Sequence, residues 1–340
     1  MIISRRVPSP LDKDSVNFRR RQFLRLAGSL AALPVAARLA HAESYPARSV
    51  RILVATSAGG GTDIAARLLA QWLTDRLGRS FFVENRPGGN NNIGTEAAAH
   101  APADGYTLFM ANSVNTINAS LYRKLNYNFI ADFAPVVHVV RSPLLMMVHP
   151  SVPVRTVPEF IAYAKQRPEA LGMASGGSGS SGHMAGELFM MLTGVRLIHL
   201  PYRGESLAIA DLIAGQAQIA FATTGSALAF AKAGSVRALA VSTPIAPEGL
   251  ADVPPLAQFL PGYEASGWSG LCAPKGAPAE IVALLNRGIN AALADASMRQ
   301  RMLDIGSVPQ GGSPADFTKF IAEETERWAQ VVKFAGIQPS

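Results

Sequence analysis

The sequence predicts an α/β protein with largely parallel sheets, and two observations carry this prediction. From about Tyr45 onward, short β-like apolar runs alternate with longer stretches whose apolar residues recur at helical spacing. Such alternation is typical of strands connected through helices, which then cover the faces of the sheet. The chain has 340 residues, 49% of them apolar and 16% charged, which is enough for a large core and roughly two domains.

The individual elements follow from this pattern in chain order. In the first predicted helix, Ile64, Leu68 and Trp72 share one face, and Gly78 stands where the helix is expected to end. The predicted strands are 50–55, 81–85, 107–110, 136–140, 144–149, 171–174, 197–200, 219–222, 238–242 and 270–273. The predicted helices include 63–77, 157–166, 183–192, 207–214, 279–294 and 315–334.

Two extended stretches interrupt the alternation, at residues 136–149 and 267–273. We interpret each stretch as a crossing between two lobes, which predicts a cleft at the joint, where α/β proteins bind ligands. Lobe 1 is predicted to comprise residues 43–142 and 270–340, and lobe 2 to comprise residues 143–269.

The first 42 residues have the order of an export signal. Paired arginines followed by Phe-Leu, at 20–24, resemble a twin-arginine signal, and an Ala-rich apolar stretch and the small-residue site A-H-A at 40–42 follow. We expect cleavage after Ala42 and a periplasmic protein, and the alternative is a short amphipathic helix of a cytoplasmic protein. These residues hold eight basic and two acidic side chains, so the other 298 residues are left with a net charge of only +1. No nucleic-acid partner is therefore expected.

Two glycine-rich loops each follow a predicted strand and precede a predicted helix. The first spans residues 56–63 and the second spans residues 174–183. At a helix start, unpaired backbone N–H groups and the positive end of the helix dipole favour an anion, and glycine lets the ligand approach the backbone closely. The two loops predict a site for a small carboxylate, and the alternative is a pair of tight turns without a ligand.

The second loop supports a competing hypothesis, because Gly177, Gly179 and Gly182 form the dinucleotide fingerprint G-x-G-x-x-G. On this hypothesis the protein is an exported oxidoreductase that binds a cofactor there. Against it, the next predicted strand ends in L-P-Y-R at 200–203, without the acid that a dinucleotide site needs. The chain also lacks a P-loop lysine, a G-x-S-x-G elbow and metal-binding spacing of its six histidines and single cysteine. We expect no enzyme activity, cofactor or metal.

Six motifs in the chain are similar to those of a known family. They are A-G-G-G-T-D at 58–63, V-E-N-R-P-G at 83–88, D-G-Y-T-L at 104–108, P-Y-R-G at 201–204, D-L-I-A-G at 211–215 and W-S-G-L at 268–271. From about Tyr45 to Gln338 the chain resembles the Bug proteins, the periplasmic solute receptors of tripartite tricarboxylate transporters. The resemblance implies two α/β lobes of the type II periplasmic binding fold that close over a carboxylate about a hinge. It also implies membrane components of such a transporter, or a sensor, as partners, and we expect the receptor to be a monomer.

The resemblance further implies that both glycine loops hold one carboxylate group, partly through ordered water. Asn112 and Ser113 follow one predicted strand and are expected to face the cleft. Thr223 and Thr224 follow another, in the part of the cleft that reads the distal end of the ligand, and Tyr202 is a candidate pocket wall. The complete set of predicted site residues is Gly59, Gly60, Gly61, Thr62, Asp63, Asn112, Ser113, Ser178, Gly179, Ser180, Ser181, His183, Tyr202, Thr223 and Thr224.

Several of these residues have a second interpretation. Asp63 is either a group that orients water or ligand or an acid favoured in a first helical turn. Asn112 and Ser113 also suit a plain turn, and Tyr202 also suits packing. His183, beside serines at a helix start, either contacts the ligand, packs, or belongs to a Ser–His pair.

Overall fold

A computed structural model describes residues 45–244, 246, 250 and 252–337 of the chain. The predicted export signal and the cleavage point after Ala42 lie outside the described residues. Residues from Arg48 onward belong to one unit, which holds every helix and strand given below. Residues 45–47, the described end of the other unit, have no regular secondary structure.

Ten strands of the described chain form one mixed sheet. They are β1 (Val50–Val54), β2 (Phe81–Asn85), β3 (Thr107–Asn112), β4 (Phe133–Val148), β5 (Gly172–Ser175), β6 (Ile198–Pro201), β7 (Ile219–Thr223), β8 (Arg237–Val241), β9 (Ser266–Pro274) and β10 (Val308–Pro309). The order is β2-β1-β3-β9-β4-β7-β5-β6, and β8 and β10 pair with β4 off this path. Pairing is parallel between β1 and both β2 and β3, and between β5 and both β6 and β7. Strands β4 and β9 are antiparallel to all their neighbours, so the prediction of largely parallel pairing is correct only away from these two strands.

Ten α-helices occur in the same residues. They are α1 (Gly61–Leu77), α2 (Asn92–Ala99), α3 (Ser113–Leu121), α4 (Val157–Lys165), α5 (Ser181–Thr193), α6 (Glu205–Ile213), α7 (Thr224–Lys232), α8 (Ala279–Ala294), α9 (Ala296–Asp304) and α10 (Pro314–Ala335). Helices α2, α3, α7 and α9 are not among the predicted ones. Helix α3 shows why, since its sequence S-V-N-T-I-N-A-S-L has low helix propensity and it is stabilised instead by a capping box. In that box the Asn112 side chain accepts the Val114 N–H, and the Asn115 side chain accepts the Asn112 N–H.

Strand β4 connects the two halves of the sheet. Residues 133–143 pair with β9, whereas residues 144–148 pair with β7 and β8. The sequence predicts two strands here, at 136–140 and 144–149, but the structure has one of 16 residues. Pro143 is tolerated because it stands where the strand changes partners, so that its missing N–H interrupts no continuous ladder. The proposed lobe boundaries at 142/143 and 269/270 stay a prediction.

The long helix α10 packs on both halves of the sheet. It begins with a capping box between Ser313 and Asp316. Phe317 lies in the apolar cluster that includes β1, β3 and β9 residues, whereas Trp328 lies in the cluster around β4 and α5. Both side chains are nearly fully buried. Burial of apolar side chains in both clusters attaches this helix to both halves of the sheet.

Candidate functional site

A cavity of about 630 Å³ is lined by residues from both halves of the sheet. Its wall contains the amino ends of five helices: α1 and α3 from one half, and α5, α6 and α7 from the other. Each amino end carries unpaired N–H groups and about half a positive elementary charge. No Lys or Arg is among the described residues that line the cavity, so its attraction for anions comes from these helix ends and from neutral donors.

The first glycine loop places open backbone on the cavity. Helix α1 has Gly60 as its N-cap with no side-chain cap, and no protein acceptor is found for the N–H groups of Gly60, Gly61 or Thr62 in the described structure. A Cβ atom built on Gly59 or Gly61 would meet nothing within 4 Å. These amides are therefore free to donate to a ligand.

Asp63 stabilises this loop through hydrogen bonds and does not line the cavity itself. Its buried carboxylate accepts the Gly59 N–H at 2.9 Å, Asn85 Nδ2 at 2.9 Å and Arg67 Nε at 3.0 Å. Burial on its own would raise the pKa of Asp63, but the hydrogen bonds from Arg67, Gly59 and Asn85, together with the Arg67 charge, outweigh it and lower the pKa. Asp63 does not line the cavity, and its contacts are those of a structural acid.

The second glycine loop is bonded within itself. The Gly177 N–H is donated to Ser175 Oγ at 3.2 Å, and the Gly179 N–H to His183 Nδ1 at 3.0 Å. The N-cap Ser180 accepts the His183 N–H. Gly182 lies so close to β7 that a Cβ atom on it would be 2.2 Å from the Phe221 carbonyl oxygen. Two of the loop amides, those of Gly177 and Gly179, are occupied by side chains and Gly182 packs against β7, so this loop gives the cofactor hypothesis no support.

His183 positions the second loop and does not line the cavity. Because Nδ1 accepts a backbone N–H, the ring proton lies on Nε2, which is 3.2 Å from Glu187 Oε1. The ring stacks on that of His199, with 3.7 Å between their centroids. With both ring nitrogens engaged, His183 is not arranged as the base of a Ser–His pair.

Two buried donors in the cavity wall, Thr56 Oγ1 and Asn112 Nδ2, have no partner. Trp268 Nε1 also has none, but its ring packs against Phe317 and Phe320 of α10, on the face of β9 opposite to Ser269. The orientation of Asn112 is fixed, because its Oδ1 accepts Val114 N at 3.0 Å and Asn91 Nδ2 at 3.1 Å. An unpaired buried donor costs about 1–3 kcal/mol, so Thr56 Oγ1 and Asn112 Nδ2 point to a ligand or ordered water in the cavity.

Hydroxyl pairs connect the elements around the cavity. Ser113 Oγ at the start of α3 lies 2.9 Å from Ser181 Oγ at the start of α5. Thr62 Oγ1 lies 3.1 Å from Ser269 Oγ of β9. Since a hydroxyl both donates and accepts, each pair still offers a further hydrogen bond to a ligand.

The wall has two charged side chains, and both are acids. Glu205, at the first position of α6, accepts the Thr223 N–H through Oε2 at 3.1 Å and the Thr223 hydroxyl through Oε1 at 2.6 Å. Asp304 ends α9 and is exposed, and Gln300 Nε2 donates to it. The acids lie on α6 and α9, and the unpartnered donors of the wall lie on or beside β1 and β3.

The structure brings some of the predicted site residues together and separates others. Those that line the cavity are Gly59, Gly60, Gly61, Thr62, Asn112, Ser113, Ser181 and Thr223. Those outside it are Asp63, Ser178, Gly179, Ser180, His183, Tyr202 and Thr224. Tyr202 donates its hydroxyl to Asp211 at 2.7 Å, and Thr224 donates to the Gly306 carbonyl and lines a separate cavity of about 560 Å³.

The sequence interpretation missed several wall residues. Trp268 and Ser269 belong to the motif W-S-G-L, which carried the resemblance without being assigned to the site. Glu205 comes directly after the motif P-Y-R-G, which also carried the resemblance, and it was not assigned to the site either. Ser142 and Ser307, whose hydroxyls are 3.0 Å apart, had no signal, because only the pairing of β10 with β4 brings them together.

The described residues contain no group of three or more His, Cys, Asp or Glu side chains placed to hold a metal ion. None of the helices in that part of the chain combines the length and apolar character that crossing a bilayer requires.

Comparison with known proteins gives concordant matches. The model of the family described as tripartite tricarboxylate transporter family receptor matches residues 65–337. Protein BugT of Bordetella pertussis is 35% identical over 298 residues, covering 87% of this chain and 91% of BugT. An R. palustris protein solved with adipate is 37% identical, with a TM-score of 0.78 over 87% of this chain and 100% of that chain. MatC from Rhodopseudomonas palustris, solved with bound malate, is 30% identical, with a TM-score of 0.74 over 85% of this chain and 100% of that chain.

Proposed function

Because this chain belongs to the tripartite tricarboxylate transporter receptor family, we propose that it captures a small carboxylate in the 630 Å³ cavity. The receptor then presents this ligand to membrane components of such a transporter, or to a sensor. It acts by binding and closure, without catalysis, cofactor or metal.

The observation that carries this proposal is the set of free donors in the wall. The uncapped start of α1 and the unpartnered Thr56 Oγ1 and Asn112 Nδ2 lie on one cavity, and no Lys or Arg is among the described residues of its wall. Four charge-assisted hydrogen bonds contribute about 6–12 kcal/mol before the costs of closure and ordering. The remainder is compatible with a micromolar dissociation constant, which corresponds to about 8 kcal/mol.

The ligands of two structural neighbours support the chemical class. The R. palustris protein was solved with adipate and MatC with malate, and both ligands are small carboxylates. A cavity of 630 Å³ suits molecules of this size.

Closure joins two lobes, which we assign to residues 43–142 with 270–340 and to residues 143–269. The Ser113–Ser181 hydroxyl pair then links lobe 1 to lobe 2 beside the ligand. The point where β4 changes partners, between Pro143 and Leu144, suits a hinge. The predicted residues that line the wall contact the ligand directly or through water, and those behind it position the loops.

We further propose that residues 1–42 export the folded chain by the twin-arginine route, with cleavage after Ala42, and that the mature receptor is a periplasmic monomer. Replacing both Arg20 and Arg21 by lysine tests the route. The full chain should then remain in the cytoplasm in cell fractionation, whereas unchanged export would exclude this pathway.

Binding is tested by Asn112→Asp in a thermal-shift assay against a panel of small carboxylates. The substitution keeps size and the α3 cap, but it puts an anionic oxygen where the free donor stands. We expect affinity for the best ligand to fall by about 100-fold or more, since a buried like charge then faces the carboxylate. Asn128→Asp is the matched control, because the exposed Asn128 caps the N–H groups of Ile130 and Ala131 and lies outside the cavity wall. Equal shifts in the wild type and Asn112→Asp would contradict the assignment of this cavity.

A further inference from the structure

The cavity has a donor side and an acidic side. Free donors lie at the start of α1 and on Asn112, whose side chain is nine-tenths or more buried. Glu205 stands at the amino ends of α6 and α7, on the other half of the sheet. The two sides are therefore suited to different chemical groups.

Glu205 occupies the place that a second ligand carboxylate would take. A helix start attracts an anion, and at the start of α7 the protein supplies that anion itself, through two hydrogen bonds from Thr223. A second carboxylate brought there would find these donors occupied and would face the charge of Glu205. No Lys or Arg of the described wall offsets that repulsion.

Glu205 can still accept hydrogen bonds. A carboxylate has about four acceptor positions, and Thr223 uses one on each oxygen. An ammonium, hydroxyl or amide group of a ligand can take the remaining positions, and an ammonium gains the charge attraction as well. The exposed Asp304 adds negative charge to the same wall.

From this asymmetry, which rests on the proposed function, we infer that Glu205 selects ligands with one carboxylate and a hydrogen-bond donor, best an ammonium group, at the other end. The carboxylate binds at the α1 side and the donor group binds Glu205. Dicarboxylates of the same length are disfavoured by this receptor.

The test is isothermal titration calorimetry with chain-length-matched ligands on the full chain. The series is adipate, 6-aminohexanoate and hexanoate, followed by the corresponding five- and four-carbon sets. We expect the wild type to bind the best amino acid at least tenfold more tightly than the diacid of equal length. In Glu205→Gln this preference should fall by at least tenfold. Glutamine keeps the Thr223 contacts, because its amide oxygen accepts the N–H and its NH₂ group donates to the hydroxyl.

Glu280→Gln is the matched control. Glu280 is an exposed acid in the first turn of α8, and it is absent from the cavity wall. Its removal changes the net charge equally and should leave the ligand preference unchanged. A wild-type preference for the diacid, or a preference that Glu205→Gln does not alter, would overturn this inference while leaving carboxylate binding intact. If no carboxylate of the series binds, the proposed function fails, and this inference fails with it.

Discussion

The two glycine-rich loops have similar sequences but opposite surroundings. A Cβ atom on Gly59 or Gly61 of the first loop would meet nothing within 4 Å, whereas on Gly182 of the second it would lie 2.2 Å from a carbonyl oxygen. In the second loop, the N–H groups of Gly177 and Gly179 are already donated to side chains. Glycine leaves open space beside the backbone in the first loop and allows close packing of protein on protein in the second.

This difference teaches that a strand, a glycine loop and a helix start do not by themselves make an anion site. What decides is whether neighbouring side chains accept the loop amides. In the first loop, Asp63 takes only the Gly59 N–H and leaves the next amides open. In the second, Ser175 and His183 accept the Gly177 and Gly179 amides, and Ser181 is the one residue of the loop that lines the cavity.

The largest expected effect is on stability, and it distinguishes the closely packed glycine of the second loop from an open glycine of the first. Gly182→Ala should lower the free energy of unfolding by about 3 kcal/mol, because the methyl group must displace the β7 backbone at Phe221. Gly61→Ala, at an open position, should change it by no more than about 0.5 kcal/mol. Urea denaturation of both variants measures this contrast. Similar stabilities would mean that the second loop is as open as the first.

The His199 ring, which lies on β6 and stacks on His183 of the second loop, should make the protein respond to mild acid. Burial, with a smaller contribution from His183, lowers the pKa of His199 from its ordinary value of 6.5 to about 4. Between these pH values His199 is protonated in the unfolded chain but not in the folded protein. The free energy of unfolding therefore falls as the pH drops. We expect a loss of about 2 kcal/mol from this group, allowing for its partial exposure.

Denaturation of His199→Gln between pH 7 and pH 4 tests this expectation. The variant should lose stability less steeply than the wild type over this range. A slope will remain, because burial and the Arg141 charge also lower the pKa of His138, to about 3. Identical slopes in the variant and the wild type would show that His199 titrates normally in the folded protein.

The first loop should respond only to stronger acid, through Asp63. Its pKa is lowered below the ordinary value of 3.8, so its contribution is complete at neutral pH and is lost as the pH falls through the folded-state pKa. Asp63→Asn should lower the free energy of unfolding at pH 7 by about 1.5 kcal/mol, through weakened bonds to Arg67, Asn85 and Gly59. The difference from the wild type should shrink below pH 3.8. An equal difference at all pH values would mean that the charge of Asp63 is not what holds the loop.

The contrast between the loops also shows what sequence reasoning can reach. Helix α1 is predictable because Ile64, Leu68 and Trp72 repeat at helical spacing, and its glycine loop is predictable from its place between a strand and that helix. Whether His183 would face the ligand or its own loop depends on its rotamer and on Glu187 and His199, which the local pattern does not encode.

Non-local contacts escaped prediction for a similar reason. The sequence predicts two strands, at 136–140 and 144–149, where the structure has the single strand β4. Its continuity at Pro143 depends on the change of partner from β9 to β7, which is a non-local feature. Ser142 and Ser307 reach one cavity wall through pairing across 165 residues. When such pairing brings residues to a cavity, the sequence around each of them contains no signal that predicts it.

The smallest expected effect is on ligand affinity, and it distinguishes two serines of the second loop. Ser181 lines the cavity and its hydroxyl pairs with that of Ser113, whereas Ser178 is exposed outside the wall. Ser181→Ala should weaken binding of the best carboxylate about fivefold, which is about 1 kcal/mol and the usual contribution of one neutral hydrogen bond. Ser178→Ala, the same substitution three residues away, should leave the affinity unchanged. Titration calorimetry of both variants gives the comparison, and a larger loss for Ser178→Ala would mean that the whole loop, and not only its last hydroxyl, faces the ligand.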